Sequence, residues 1–224
     1  MTTGPLAVYK DLCLDAGDLG RAGRFWSAVL RLESHPHHDS VVRLEGADPQ
    51  QTVWISAVPE PKTAKNRLHL DIHTGSVAEL VELGASVLDD TLPWTVMADP
   101  DGGEFCAFVR AEPPDQRLYE LVLDANDPRA VATWWARLLG GRLTSDDGSS
   151  WALTEIPGAP FEWFVVNPSS APKTAKNRVH IDVTCDDLEA LLADGARLLR
   201  PRDGDIGWHV LADPEGNEFC VFTP

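Results

Sequence analysis

PKTAKNRLHLDI at 61–72 returns almost letter for letter as PKTAKNRVHIDV at 172–183, and this recurrence decides how the chain is organised. Working outward, DPDGGEFCAF (99–108) returns as DPEGNEFCVF (213–222). LCLDAGDLGRAGRFWSAVL (12–30) returns more loosely as LVLDANDPRAVATWWARLL (121–139). Three blocks in one order, displaced by about 110 residues, mark the duplication of a domain-sized unit and not a short solenoid repeat. The polar, proline-bearing stretch RAEPPDQR (110–117) reads as the connection. A first domain is therefore expected over 5–110, a linker over 111–117 and a second domain over 118–224.

Each copy carries the same local signals. YKDLCLDA (9–16) alternates as a strand does and runs into Asp18, a helix N-cap, followed by an amphipathic helix with Phe25, Trp26, Val29 and Leu30 on its apolar side. Short β-rich stretches follow around 40–45 and 52–58, then the strand at 67–73 and a short helix ending near Gly84. PWTVMADPDGGEFCAFV (93–109) closes the copy as a hairpin turning at DPDGG. The second copy predicts strands at 118–124, 150–155, 161–166 and 178–183, helices at 128–139 and 186–194, and a hairpin over 207–222. Written twice, this is a βαβββ-βαβββ unit, an α+β class with at most sixteen strands and four helices.

Composition bounds the function. Asp and Glu outnumber Lys and Arg 35 to 19, for a formal net charge of −16, which opposes binding to nucleic acid or anionic lipid. The 224 residues contain neither an apolar run of membrane-spanning length nor a secretion signal, so a cytoplasmic location is expected. The four cysteines, Cys13, Cys106, Cys185 and Cys220, form no CxxC pair and read as reduced, buried apolar residues. No GxSxG, phosphate-gripping loop or dinucleotide fingerprint is present.

The aspartate-then-FW helix entry, the KNR-[LV]-H-[LI]-D strands and the closing DP-[DE]-G-x-EFC-x-F hairpins resemble the vicinal oxygen chelate superfamily, in its glyoxalase-like branch. The resemblance covers nearly the whole chain, once per copy. It implies two tandem glyoxalase-like domains, each built from paired βαβββ modules curled into a cup. In the superfamily's metal-using members the inner cup face presents His and Glu ligands to an ion with open positions for two substrate oxygens; other members bind drugs without metal.

Carried onto this chain residue by residue, the resemblance puts histidine ligands at His69 and His180. It implies acidic ligands at Asp11 and Glu120, and Cys106 and Cys220 at the last strands, with Glu104 and Glu218 two residues earlier on the same face. Grouped by copy, the trios are Asp11, His69 and Cys106 or Glu104, then Glu120, His180 and Cys220 or Glu218. The fourth position holds Ser56 and Val165, and valine ligates nothing. A trio suits Zn²⁺, Mn²⁺, Fe²⁺ or Ni²⁺. The competing reading pairs each histidine with Asp71 or Asp182 two residues on, as a wall-fixing contact, and the missing fourth ligand favours it. Trp94 and Trp208, with Trp54 and Trp163, are the candidate ligand-stacking walls.

Other motifs read as structural. HPHHD (35–39), absent from the second copy, reads as a solvated loop, His209 as a surface residue, and the Lys-Asn-Arg triplets at 65–67 and 176–178 as anchors. The favoured expectation is a small-molecule binder with a degenerate metal site and no required cofactor, sequestering a cationic or aromatic ligand. It would exist as a pseudo-dimeric monomer or a homodimer. The alternative is a metal-dependent lyase, isomerase or dioxygenase acting on a small oxygenated substrate.

Overall fold

The computed structural model of the chain describes residues 4–224. The first repeat contains β1 (Val8–Ala16), α1 (Leu19–Leu30), β2 (Glu33–His38), β3 (Val41–Glu45), β4 (Val53–Ala57), β5 (Leu68–Thr74), α2 (Val77–Glu82), β6 (Ser86–Asp89), β7 (Thr95–Ala98) and β8 (Glu104–Val109). The second contains β9 (Leu118–Ala125), α3 (Pro128–Leu139), β10 (Arg142–Thr144), β11 (Trp151–Thr154), β12 (Trp163–Pro168), β13 (Val179–Thr184), α4 (Leu188–Ala193), β14 (Arg197–Arg200), β15 (His209–Ala212) and β16 (Glu218–Phe222). The sequence pattern missed β2: HPHHD, read as a loop, contributes an edge strand paired antiparallel with β3.

Two eight-stranded sheets result. Sheet I runs β14-β15-β16-β13-β1-β4-β3-β2 and sheet II runs β10-β11-β12-β9-β5-β8-β7-β6. Each is a pair of βαβββ modules, but the paired modules come from different repeats. The first module of repeat one joins the second module of repeat two, and the reverse. The joints lie at the sheet centres, where β1 pairs antiparallel with β13 and β5 with β9. The repeat unit and the cup are thus different units.

Strand alternation divides each sheet into a core face and a cup face. Leu12 and Leu14 on β1, Leu70 and Ile72 on β5, Leu121 and Leu123 on β9, and Ile181 and Val183 on β13 enter one continuous core. The helices bridge the sheets within it. Asp18 caps α1 by accepting from Arg21 N–H, and the buried side of α1 sets Phe25 and Trp26 edge-on against Phe105 of β8 in the other sheet. Trp135 of α3 meets Phe219 of β16 in the other sheet edge-on, and Phe164 of β12 in its own. Trp26 Nε1 donates to Asp99 at 3.2 Å and Trp135 Nε1 to Asp213 at 3.2 Å, so each helix also braces a closing hairpin turn. These two tryptophans are core residues. Full burial of such side chains stabilises by about 1.5–3 kcal/mol each.

The Lys-Asn-Arg triplets tie the repeats together, as their anchoring role required. Lys65 Nζ donates to Asp124 at 2.5 Å and Lys176 Nζ to Asp15 at 2.6 Å, while Arg67 and Arg178 donate to the carbonyls of Ala171 and Glu60 at 2.8 and 2.9 Å. No helix among the described residues is long and apolar enough to cross a membrane.

Candidate functional site

The parity that buries Leu12 and Leu14 turns Asp11, Cys13 and Asp15 of β1 to the cup face of sheet I, and β13 presents His180 and Asp182 beside them. Antiparallel register sets Cys13 opposite His180 and Asp11 opposite Asp182, and parallel register sets Cys220 of β16 beside Asp182. Cys13 Sγ donates to Asp182 Oδ2 at 3.3 Å, and His180 Nε2 stands 3.5 Å from Asp182 Oδ1. The donor atoms of Cys13, His180 and Asp182 all lie within 4.8 Å of one another. The second cup groups His69, Asp71 and Cys106 in the same way, with His69 Nε2 3.4 Å from Asp71 Oδ1. There Val122 faces His69 and Glu120 faces Asp71.

This geometry corrects the expected trios. Asp11 shares a cup with His180, and Glu120 with His69, because the cup-forming strand pairs join different repeats. Asp11 accepts from Trp54 Nε1 at 2.9 Å and from Lys10. Glu104 accepts from Lys62 Nζ at 2.8 Å and Asn66 N–H at 3.0 Å, and Glu218 from Lys173 Nζ at 2.8 Å and Asn177 N–H at 3.1 Å. Both glutamates are therefore committed to the connections ahead of β5 and β13. Asp71, Asp182 and Cys13 take part in the clusters instead. Cys13 was legible from its position, two residues beyond Asp11 on the same strand face.

Burial dominates the electrostatics. It raises the Asp71 carboxyl to about 8, with Glu120 adding to the effect, and lowers the His69 imidazole to about 4, with Lys65 second. Burial also raises Asp182 and Cys13, and raises the Cys106 and Cys220 thiols, which face carboxylates as well. Protonated thiols of this kind are poor nucleophiles. His69 Nδ1, Asp71 Oδ1 and Asp182 Oδ1 are buried without hydrogen-bond partners, an arrangement that is costly unless another group completes it. A thiol–imidazole–carboxylate set fits a divalent ion of the zinc class.

The cups differ in the cavities they hold. The first holds a cavity of about 600 Å³ walled by Trp54, Trp208 and Phe222 and reaching Cys13, His180, Asp182 and Cys220. The second holds about 430 Å³ beside Trp151, Trp163 and Val165, and none of His69, Asp71 or Cys106 lines it. A stack of Tyr119 on His73, with ring centres 4.4 Å apart, meets Phe108 edge-on at 5.4 Å, and Trp94 stacks on Phe108 at 5.6 Å. The counterparts in the first cup are Lys10, Thr184, Phe222 and Trp208, and Lys10 Nζ sits 4.5 Å over the Phe222 ring. Of the four expected walls, Trp54 and Trp208 share the first cavity, Trp163 lines the other, and Trp94 belongs to the stack. Trp151, without a repeat counterpart, joins Trp163.

His37 and His38 line the first cavity, and His37 meets Trp54 edge-on at 5.1 Å. His209 instead accepts from the Arg202 N–H through Nδ1 at 3.2 Å. The net acidity does not collect in the first cup: Lys10 pairs with Asp11, Lys176 with Asp15 and Lys173 with Glu218.

A family model described as glyoxalase-like domain matches residues 11–108 and again 120–222. Glyoxalase I from Zea mays superposes with a TM-score of 0.66 at 15% identity, covering 96% of this chain and 92% of its own. A mutant of glyoxalase I from Zea mays reaches 0.69 at 17% identity, covering 97% and 94%. The cppA protein from Streptococcus pneumoniae reaches 0.51 at 10% identity, covering 98% and 99%. At these identities the likeness is one of fold. No curated protein matches the chain.

Proposed function

The chain belongs to the glyoxalase-like domain family in both of its halves, and from that premise we propose that its first cup binds a small, flat organic molecule between aromatic walls. The observation that carries this reading is the cavity of about 600 Å³ bounded by Trp54, Trp208 and Phe222, a volume typical of small-molecule sites. Aromatic faces favour an aromatic or conjugated ligand by stacking. Because Asp11, Asp15 and Glu218 are each matched by a lysine and only Asp182 is not, the cationic part of the sequence expectation has little local support, and the aromatic part carries the proposal.

The test is a ligand screen by tryptophan fluorescence. A ligand that quenches the wild type should lose at least about tenfold in affinity in Trp208→Ala, a stacking loss of roughly 1.4 kcal/mol or more, and be unaffected in Trp163→Ala. Equal loss in both variants, or none in either, would sink the assignment to the first cup.

The buried, unpartnered oxygens and nitrogen of the clusters favour a second reading, a metal-dependent enzyme. His180, Asp182 and Cys13 would hold the ion, which supplies Lewis-acid polarisation of a substrate oxygen. Elemental analysis of chelator-treated protein dialysed against Zn²⁺, Mn²⁺, Fe²⁺ and Ni²⁺, together with turnover lost in His180→Ala, distinguishes the enzyme from the binder.

A further inference from the structure

We infer that the cavity between the two PKTAKNR connections is a site for one small tetrahedral dianion, of which inorganic phosphate is the simplest. The segment occurs at 61–67 ahead of β5 and again at 172–178 ahead of β13, and both copies wall the same cavity of about 230 Å³. That is less than the roughly 300–1,000 Å³ of a site for an organic ligand and several times the ~30 Å³ share of one water, so it suits a small ion. The place is separate from both cups. Among the described residues no histidine, cysteine or tryptophan lines it, and only Asp15 and Lys176 border the first-cup cavity as well.

The walls hold Lys62, Lys65, Arg67, Lys173, Lys176 and Arg178, six of the chain's 19 basic residues, against two acids, Asp15 and Glu60. In a chain of net charge −16 this is a local reversal of sign. Anchoring accounts for part of it. Lys62 and Lys173 reach Glu104 and Glu218, Lys65 and Lys176 reach Asp124 and Asp15, and Arg67 reaches Glu215 at 3.4 Å. Arg178 has no carboxylate partner among the described residues and donates to the Glu60 carbonyl at 2.9 Å.

Donor capacity is left over as well. An ammonium carries three donors and a guanidinium five. Lys62, Lys65 and Lys176 each use one in these bonds, and Lys173 uses two, the second on the Ala175 carbonyl. The hydroxyls of Thr63 and Thr174 belong to the same wall. Lys62 and Lys173 have side chains only 15% and 16% exposed, so solvent screens their attraction incompletely. Walls so rich in donors fit a ligand that chiefly accepts hydrogen bonds and carries the opposite charge, and an oxyanion does both. Because the same segment lines the cavity twice, a dianion bound there contacts both repeats and ties their joint.

Inorganic phosphate is the probe, titrated into the full chain by calorimetry at fixed ionic strength with chloride as the balancing anion. The expected result is saturable binding of one equivalent per chain, since both copies share one cavity, with sulfate competing and acetate not. Arg178→Gln keeps a donor for the Glu60 carbonyl and strands no carboxylate, and it should weaken binding at least about tenfold. Glu60→Gln removes an acid of the wall at an exposed position, so it keeps a folded variant in the test. It should tighten binding at least about twofold. Arg142→Gln, whose exposed pair with Glu155 lies outside the cavity, should change nothing. Phosphate also stabilises proteins in general by exclusion from their surface, an effect that does not saturate. Stabilisation without saturable binding, two equivalents per chain, or one affinity shared by the wild type, Arg178→Gln and Glu60→Gln overturns the inference. Trp208→Ala should bind phosphate as the wild type does, which separates this site from the aromatic-ligand reading.

Discussion

Asp71 and Asp182 are buried on central strands where a carboxylate would ordinarily be excluded, and burial raises both above the usual carboxylate range, Asp71 to about 8. The consequence for stability follows from the sign of each shift. An acid whose folded value, about 8 for Asp71, lies above its unfolded value near 4 stabilises the fold fully below pH ~4 and loses that contribution as pH rises to 8. His69, lowered to about 4, acts oppositely: its cost appears as pH falls from ~6.5 toward 4. The two slopes offset between pH 4 and 6.5, and above 6.5 only Asp71 continues. In metal-free protein, Asp71→Asn should therefore gain about 2 kcal/mol over wild type between pH 6.5 and 8, from roughly 1.4 kcal/mol per pH unit. Urea denaturation at the two pH values checks this; a difference independent of pH would show that Asp71 is ionised in the fold.

At the scale of elements, the two long helices end alike and are built differently. The C-cap of α3 is Gly140 at φ 76°, and that of α1 is Arg31 at φ 56°. Both are left-handed, a region that costs a side-chain-bearing residue about 1–2 kcal/mol. Arg31 offers little in return, since its pairing with Asp115 at 3.6 Å is solvent-exposed. Arg31→Gly should stabilise the protein by about 0.5–1 kcal/mol, after the added freedom of glycine in the unfolded chain is subtracted. Gly140→Ala should destabilise it by more than 1 kcal/mol, because a Cβ there would also stand 3.0 Å from Pro5. Thermal melts of both variants read the two signs. Helices α1 and α3 themselves were legible from their N-cap aspartates and apolar stripes. β2 was not, because ESHPHH carries no alternation of its own and becomes a strand only by pairing with β3.

For the molecule as a whole, the exchange of modules between repeats makes each half incomplete. A chain ending near residue 112 would expose the inner edges of β1 and β5, which in the full chain pair with β13 and β9. The isolated first half should therefore be a dimer or unfolded, and co-expression with the second half should restore one 1:1 complex. Light scattering of the purified halves tests this, and a stable, folded monomeric half would contradict the module exchange. The latch of Lys65 on Asp124 and Lys176 on Asp15 acts on the same joint from outside the core.

The recurrence of PKTAKNR, DPxGxEF and the FW/WW helix determined the duplication, the module order and which residues share a strand face, because these properties are local or periodic and strand parity is written residue by residue. Which module meets which was beyond that reading. A repeat pairs equally well, by pattern, with its own second module or with its neighbour's, and only the tertiary structure places Asp11 beside His180. The same holds for Glu104 and Glu218, whose lysine partners lie about 40 residues away in sequence. The walls beside the two clusters were likewise decided in three dimensions, because the Tyr119–His73–Phe108 stack is assembled from three strands and has Lys10, Thr184 and Phe222 as its counterparts in the first cup.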